Sequence, residues 1–165
     1  MRKVFYSFHY KKDACRVQQV KQMGKLTGDE PVASNKWEEI KRSGDYAIKK
    51  WIEESLKSCS CLVVLIGEET ASREWVQYEI KRAWELGKGV VGIYIHNLKD
   101  PNYGCCRRGE NPFEKIYIAD GFYGKKPLSD ILKCYEPSYF AAYSDIQNNI
   151  ERLVEEAIEI RRRHN

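Results

Sequence analysis

Glu79 follows Trp75 by one helical turn within the stretch Ser72-Arg73-Glu74-Trp75-Val76-Gln77-Tyr78-Glu79-Ile80-Lys81. Val76, Ile80, Ala83, Trp84 and Gly87 recur at i, i+4, i+7, i+8 and i+11, the stripe of a helix laid against a core. Gln77, Lys81, Arg82 and Glu85 mark the solvent face, which leaves Glu79 on the border between the two. A carboxylate at such a seam is partly desolvated, and a perturbed carboxylate can stabilise charge at a reacting centre. Border glutamates are more often salt-bridged or solvated, so the setting of the helix decides. It follows an apolar run, Leu62-Val63-Val64-Leu65-Ile66-Gly67, and Ser72 is the expected N-cap. Glu79 is then just beyond the carboxyl end of a strand, the edge at which open α/β sheets bind ligands.

A second constellation lies at the start of the chain. Val4-Phe5-Tyr6-Ser7-Phe8 reads as a strand, followed by His9-Tyr10-Lys11-Lys12-Asp13 and a helix carrying Arg16, Val17 and Val20, with Asp13 as the expected cap. Basic side chains and free backbone N–H groups at a strand-to-helix junction suit phosphate or pyrophosphate. The glycine-rich pattern of dinucleotide loops is absent. Asp45, after Ser43-Gly44, is either a helix cap or a ligand contact. No two C-x-x-C elements occur and the three histidines stand far apart, so no metal site is expected; Cys105-Cys106, in a polar loop, is expected to hold free thiols.

The elements that must position these residues alternate. After the first strand and helix comes a loop, Gly24 to Lys36, and a short segment from Trp37 to Ile40. Ile48, Trp51, Ile52 and Leu56 give a second amphipathic helix, residues 61–66 a central strand, and Val90-Val91-Gly92-Ile93-Tyr94-Ile95 a further strand buried on both faces. The loop from Asp100 to Pro112 is long and polar, and is expected to border the cleft or a partner surface; removing Tyr103 to Gly109 is expected to leave the fold intact. Residues 113–140 hold two short apolar pieces, Ile116-Tyr117-Ile118 and Ile131 to Tyr135, one of which is expected to be the last strand. Ser144 with Gln147 forms a capping box for a long closing helix through Ile146, Ile150, Leu153, Val154, Ala157 and Ile158.

The 165 residues are expected to form one α/β domain over 1–165. Basic residues are interleaved with acidic ones at a net charge of +4, which gives no nucleic-acid footprint. No apolar run approaches the ~20 residues of a membrane span, and the segment before Val4 is too short for a secretory signal. A cytoplasmic location is expected.

Five segments together resemble the TIR-like domain family of bacterial Thoeris antiphage defence. They are Val4 to Tyr10 with Asp13 and Arg16-Val17; Gly44-Asp45 with Ala47 to Ile52; Val63 to Gly67; Trp75 to Ile80; and Gly92 to Asn97, all within residues 4–100. The resemblance implies a flavodoxin-like parallel sheet of about five strands flanked by helices, and in the enzymatic members cleavage of NAD at the nicotinamide–ribose bond. Glu79 after Trp75 matches their catalytic glutamate, which follows a tryptophan by four residues. It also implies a substrate site drawn from Ser7, Phe8, His9, Tyr10, Arg16, Asp45 and Trp75, with NAD as substrate and no cofactor. The expected product is a cyclic ADP-ribose isomer or conjugate sensed by a separate effector, with self-assembly or a phage-derived trigger as the activating event. The rival reading is a non-catalytic TIR-like interaction module. A phosphoacceptor receiver domain is disfavoured, since Leu65-Ile66-Gly67-Glu68 offers no aspartate at the end of the third strand.

Overall fold

The computed structural model describes residues 1–28 and 39–165. Strands β1 (Lys3–Ser7), β2 (Thr27–Gly28), β3 (Cys61–Ile66), β4 (Gly89–Tyr94) and β7 (Cys134–Tyr135) form a parallel five-stranded sheet in the order β2-β1-β3-β4-β7. Counting strands of this sheet alone, the order is 2-1-3-4-5, the flavodoxin-like arrangement, with its reversal between β1 and β3. Between β4 and β7, β5 (Tyr117–Asp120) and β6 (Gly124–Pro127) pair as a separate antiparallel hairpin.

Burial explains why the central strands read as continuous apolar runs. All six residues of β3 are buried, with Cys61, Val63 and Leu65 facing one layer and Leu62, Val64 and Ile66 the other. The first layer contains α1 (Tyr10–Gln22), through Val17 and Val20, and α4 (Ala142–Arg163), through Ile146, Ile150, Leu153 and Val154. The second contains α2 (Asp45–Lys57), through Ile48, Ile52 and Leu56, and α3 (Glu74–Glu85), through Val76, Ile80, Ala83 and Trp84. The spacing of apolar residues therefore assigns each helix to a face of the sheet.

The helix ends differ from expectation. His9, not Asp13, caps α1, its Nδ1 accepting from the Lys12 N–H at 3.3 Å. Asp13 lies inside the first turn because it is needed by Arg16. Ser72 closes a 3-10 turn, Thr70–Ser72, and Arg73 occupies the N-cap of α3. Gly44 caps α2 at φ 92°, a conformation that suits glycine, so Asp45 is a first-turn acid beside the helix dipole. Ser144 makes no capping box; its hydroxyl donates to the Ala141 carbonyl, and Asp145 instead accepts from the Ser138 N–H at 2.6 Å and from the Tyr135 hydroxyl. Of the two unassigned pieces, Ile131 to Tyr135 supplies the last strand, and Ile116 to Ile118 leads into the hairpin. The part of the expected loop around Pro31 and Asn35, and the first two residues of the segment from Trp37 to Ile40, lie outside the described residues.

The loop after β4 is fastened to the sheet. Arg16, 3% exposed, donates to Asp13 Oδ1 at 3.1 Å, to the Leu98 carbonyl at 2.9 Å and to the Gly104 carbonyl at 2.8 Å. Gly109 sits so close to Gly67 that a Cβ there would lie 2.0 Å from the Gly67 carbonyl oxygen. Excising Tyr103 to Gly109 would thus remove an acceptor of a buried guanidinium, which overturns the expectation of a dispensable segment. Removing one partner from a buried charge pair leaves the other uncompensated. Arg16→Met should lower the free energy of unfolding by roughly 3–5 kcal/mol in urea melts. Arg16→Lys should recover little, because an ammonium cannot reproduce the guanidinium fork. A loss below about 1 kcal/mol would mean that the loop is held by other contacts.

Candidate functional site

The β1–α1 junction and the start of α3 meet at the carboxyl edge of the sheet, beside the reversal between β1 and β3. Between them lies a cleft of about 430 Å³, within the roughly 300–1,000 Å³ usual for small-molecule sites. Phe8, His9, Tyr10 and Lys11 line one wall; Ser72, Arg73, Glu74, Trp75 and Val76 line the other, with Glu79 between them and Lys41 adding a third side.

The aromatic residues are held by each other as much as by the core. The Phe8 and Tyr10 rings are 6.0 Å apart and inclined at 33°, and Trp75 meets Tyr78 edge-on at 5.7 Å. Phe8, Tyr10 and Trp75 are all half-buried, so each packs on one side and faces the cleft on the other. His9 is buried, and desolvation depresses its pKa, so the neutral ring caps α1 through Nδ1 while Nε2 faces Glu69 Oε2 at 3.7 Å. Lys12 Nζ donates to the same Glu69 carboxylate at 2.8 Å, joining the two walls at the rim.

Glu79 is 7% exposed, and burial pushes its pKa from an ordinary 4.5 up to about 8, with the neighbouring Ser7 hydroxyl acting in the opposite sense. Glu79 Oε2 has no hydrogen-bond partner among the described residues. A carboxyl group in this position is largely neutral at rest. A cationic ligand would draw off its proton.

Five of the residues expected from sequence meet here: Phe8, His9, Tyr10, Trp75 and Glu79. Three do not line the cleft. Ser7, 1% exposed, lies behind Glu79; the Arg16 donors are committed to Asp13, Leu98 and Gly104; and Asp45 sits exposed at the start of α2. Arg16, for which a pyrophosphate contact was expected, is thus placed away from this cleft with three of its five N–H donors engaged. Residues of the loop from Asp100 to Pro112 do not line this cleft. Among the described residues, the cations that do line the cleft are Lys11, Lys41 and Arg73. Arg73 was legible in principle, as the residue immediately before a helix whose start faces the strand edge. Lys41 comes from a distant segment and carries no local signal.

The family described as "Thoeris protein ThsB, TIR-like domain" matches residues 5–100, more than half of the chain. A protein of Bacillus cereus (strain MSX-D12), named "Putative cyclic ADP-D-ribose synthase ThsB1", is 35% identical over 129 residues, covering 73% of this chain and 67% of its own. Among solved structures, the TIR domains of the activated Roq1 resistosome directly recognizing the pathogen effector XopQ align over 98% of this chain and 84% of that one, at 15% identity and a TM-score of 0.37. No helix among the described residues is long and apolar enough to cross a membrane.

The raised pKa of Glu79 fixes the sign of a stability effect. Above pH 4.5 the unfolded chain loses this proton while the folded protein keeps it, so the contribution of the neutral group is full below 4.5 and lost as pH rises through about 8. Glu79→Gln should match the wild type near the low end of that window and exceed it at about pH 9, by an amount on the order of a few kcal/mol. Denaturant melts at the two pH values check this; a gap that does not change with pH would contradict a buried, neutral carboxyl group.

Proposed function

The chain belongs to the TIR-like domain family of the Thoeris protein ThsB, and on that premise we propose that it cleaves NAD at the nicotinamide–ribose bond and makes an ADP-ribose-derived signalling nucleotide. The observation that carries the reading is the buried carboxyl group of Glu79, without a charged partner among the described residues, in a cleft lined by Phe8, Tyr10 and Trp75 and by Lys11, Lys41 and Arg73. Flat rings suit nicotinamide and adenine, and the three cations suit a pyrophosphate.

One carboxylate is enough for this chemistry. Nicotinamide in NAD is already cationic, so when the bond from C1′ of the ribose to the ring nitrogen breaks, the electron pair goes to nitrogen and the base leaves neutral, with no proton required. Ordinary glycosidases need a second carboxyl group to protonate the leaving oxygen. The ionised Glu79 stabilises the positive charge that grows at C1′, in a site where low dielectric strengthens the attraction. Water at C1′ gives ADP-ribose and a proton; an internal nucleophile gives a cyclic isomer, and an outside one gives a conjugate. The relative named as a cyclic ADP-D-ribose synthase favours the cyclic product for this chain too.

A nucleotide product of this kind acts by being read by a separate effector in antiphage defence, with a phage-derived trigger or self-assembly setting the timing. A resting protein in which Glu79 is mostly neutral at pH 7 fits low basal turnover. A purely non-catalytic interaction module gains nothing from burying an uncompensated carboxyl group, which costs free energy unless it is used.

Purified protein incubated with NAD should release nicotinamide, and kcat/KM should rise with pH to a midpoint near 8, the ionisation of free Glu79. Glu79→Gln should reduce kcat by about 100- to 1,000-fold, and Arg73→Gln should raise KM while leaving kcat near wild type. Nicotinamide release by Glu79→Gln at the wild-type rate would sink the assignment.

A further inference from the structure

Ser7 is the last residue of β1 and pairs in register with Val64 of β3. Side chains alternate along the strand: Val4 and Tyr6 face the layer of α1 and α4, Phe5 faces the layer of α2 and α3, and Ser7 points the same way as Phe5. That direction brings the Ser7 hydroxyl beside Glu79 on α3. Ser7 is 1% exposed and absent from the cleft lining, whereas Glu79 contributes to it. The serine therefore sits behind the carboxyl group, on the side away from any ligand.

Neither Ser7 Oγ nor Glu79 Oε2 has a hydrogen-bond partner among the described residues. Two adjacent buried polar atoms left unpaired are costly, and such an arrangement makes sense when the bond is made in another state of the site. The charged groups nearby are on the ligand side: Lys11, Lys41, Arg73 and Glu74 line the cleft, and His9 is neutral and engaged in the α1 cap. The hydroxyl of Ser7 is the neighbouring group that favours the ionised form of Glu79.

We infer that Ser7 is a positioning residue: its hydroxyl donates a hydrogen bond to the Glu79 carboxylate once that side chain is ionised, holding one oxygen back so that the other faces the cleft, and it touches no ligand. The role differs from the substrate contact expected of Ser7 from sequence. Its kinetic consequence rests on Glu79 being the charge-stabilising group of NAD cleavage; the hydrogen bond itself does not.

The test reads Glu79 directly. Protein labelled with carboxyl-13C glutamate is titrated by NMR, and the Glu79 signal is assigned by its absence from Glu79→Gln. Wild type should titrate near 8. Ser7→Ala should titrate higher by about one pH unit, since a hydrogen bond to the charged form is lost, and Ser7→Thr, which keeps the hydroxyl, should return toward wild type. The pH midpoint of kcat/KM should move up by the same interval in Ser7→Ala, with KM unchanged above that midpoint. If Ser7→Ala does not fold, Ser7→Cys, of similar size but a weaker donor, should show a smaller shift in the same direction. A folded Ser7→Ala that titrates like wild type overturns the inference, as does a raised KM with an unmoved midpoint, which would make Ser7 a substrate contact. A shifted titration with no nicotinamide released by any variant, with or without lysate from phage-infected cells, would sustain the hydrogen bond and count against NAD cleavage.

Discussion

The structure is organised around a carboxyl group that burial disfavours as an ion. Glu79 sits on the border of the apolar stripe of α3, and the packing of that stripe against β3 and β4 carries it out of water. Among the described residues no cation compensates it, and its pKa rises accordingly. A helix rotated by one residue would send Glu79 to solvent and place Tyr78 or Ile80 at the cleft. The state of the carboxyl group is therefore a consequence of how α3 docks, and the docking is set by Val76, Ile80, Ala83 and Trp84.

The cleft depends in turn on the β1–α1 junction being held opposite α3. Its two walls are tied across the rim by Glu69, which accepts from Lys12 and faces His9, and the junction is anchored from below by the Asp13–Arg16 pair. Arg16 also holds the loop after β4, so a single buried guanidinium joins α1 to the far side of the sheet edge. Buried pairs of this kind contribute less to net stability than to fixing one arrangement among several.

The sequence was informative where periodicity and burial agree. Six consecutive buried residues in β3, the apolar spacing of α2, α3 and α4, and the strand-end location of Glu79 could all be read because each repeats a pattern over several residues. The misassignments fall where one polar residue has two plausible tasks. Asp13 is a good cap by type but is drawn into the first turn by Arg16, which leaves the cap to His9. Arg16 looked like a phosphate ligand by location, and only tertiary packing shows its donors turned toward Leu98 and Gly104. Lys41 reaches the cleft from a segment distant in sequence, a proximity that no local pattern encodes.

The same desolvation that destabilises the ionised Glu79 is what makes it useful. A solvated carboxylate would interact with a growing cation through a high dielectric and contribute little, whereas one held in a low dielectric interacts strongly but prefers to be protonated. On the proposed NAD cleavage, a cationic substrate would resolve the conflict, because its own charge would favour the ionised form at the moment the anion is needed. The protein would then hold a neutral group at rest and generate a strong electrostatic partner on binding. Lys11, Lys41 and Arg73 line the same cleft, yet none of them is among the groups that set the Glu79 pKa, so on the proposed reaction they could attract phosphates without neutralising the carboxylate.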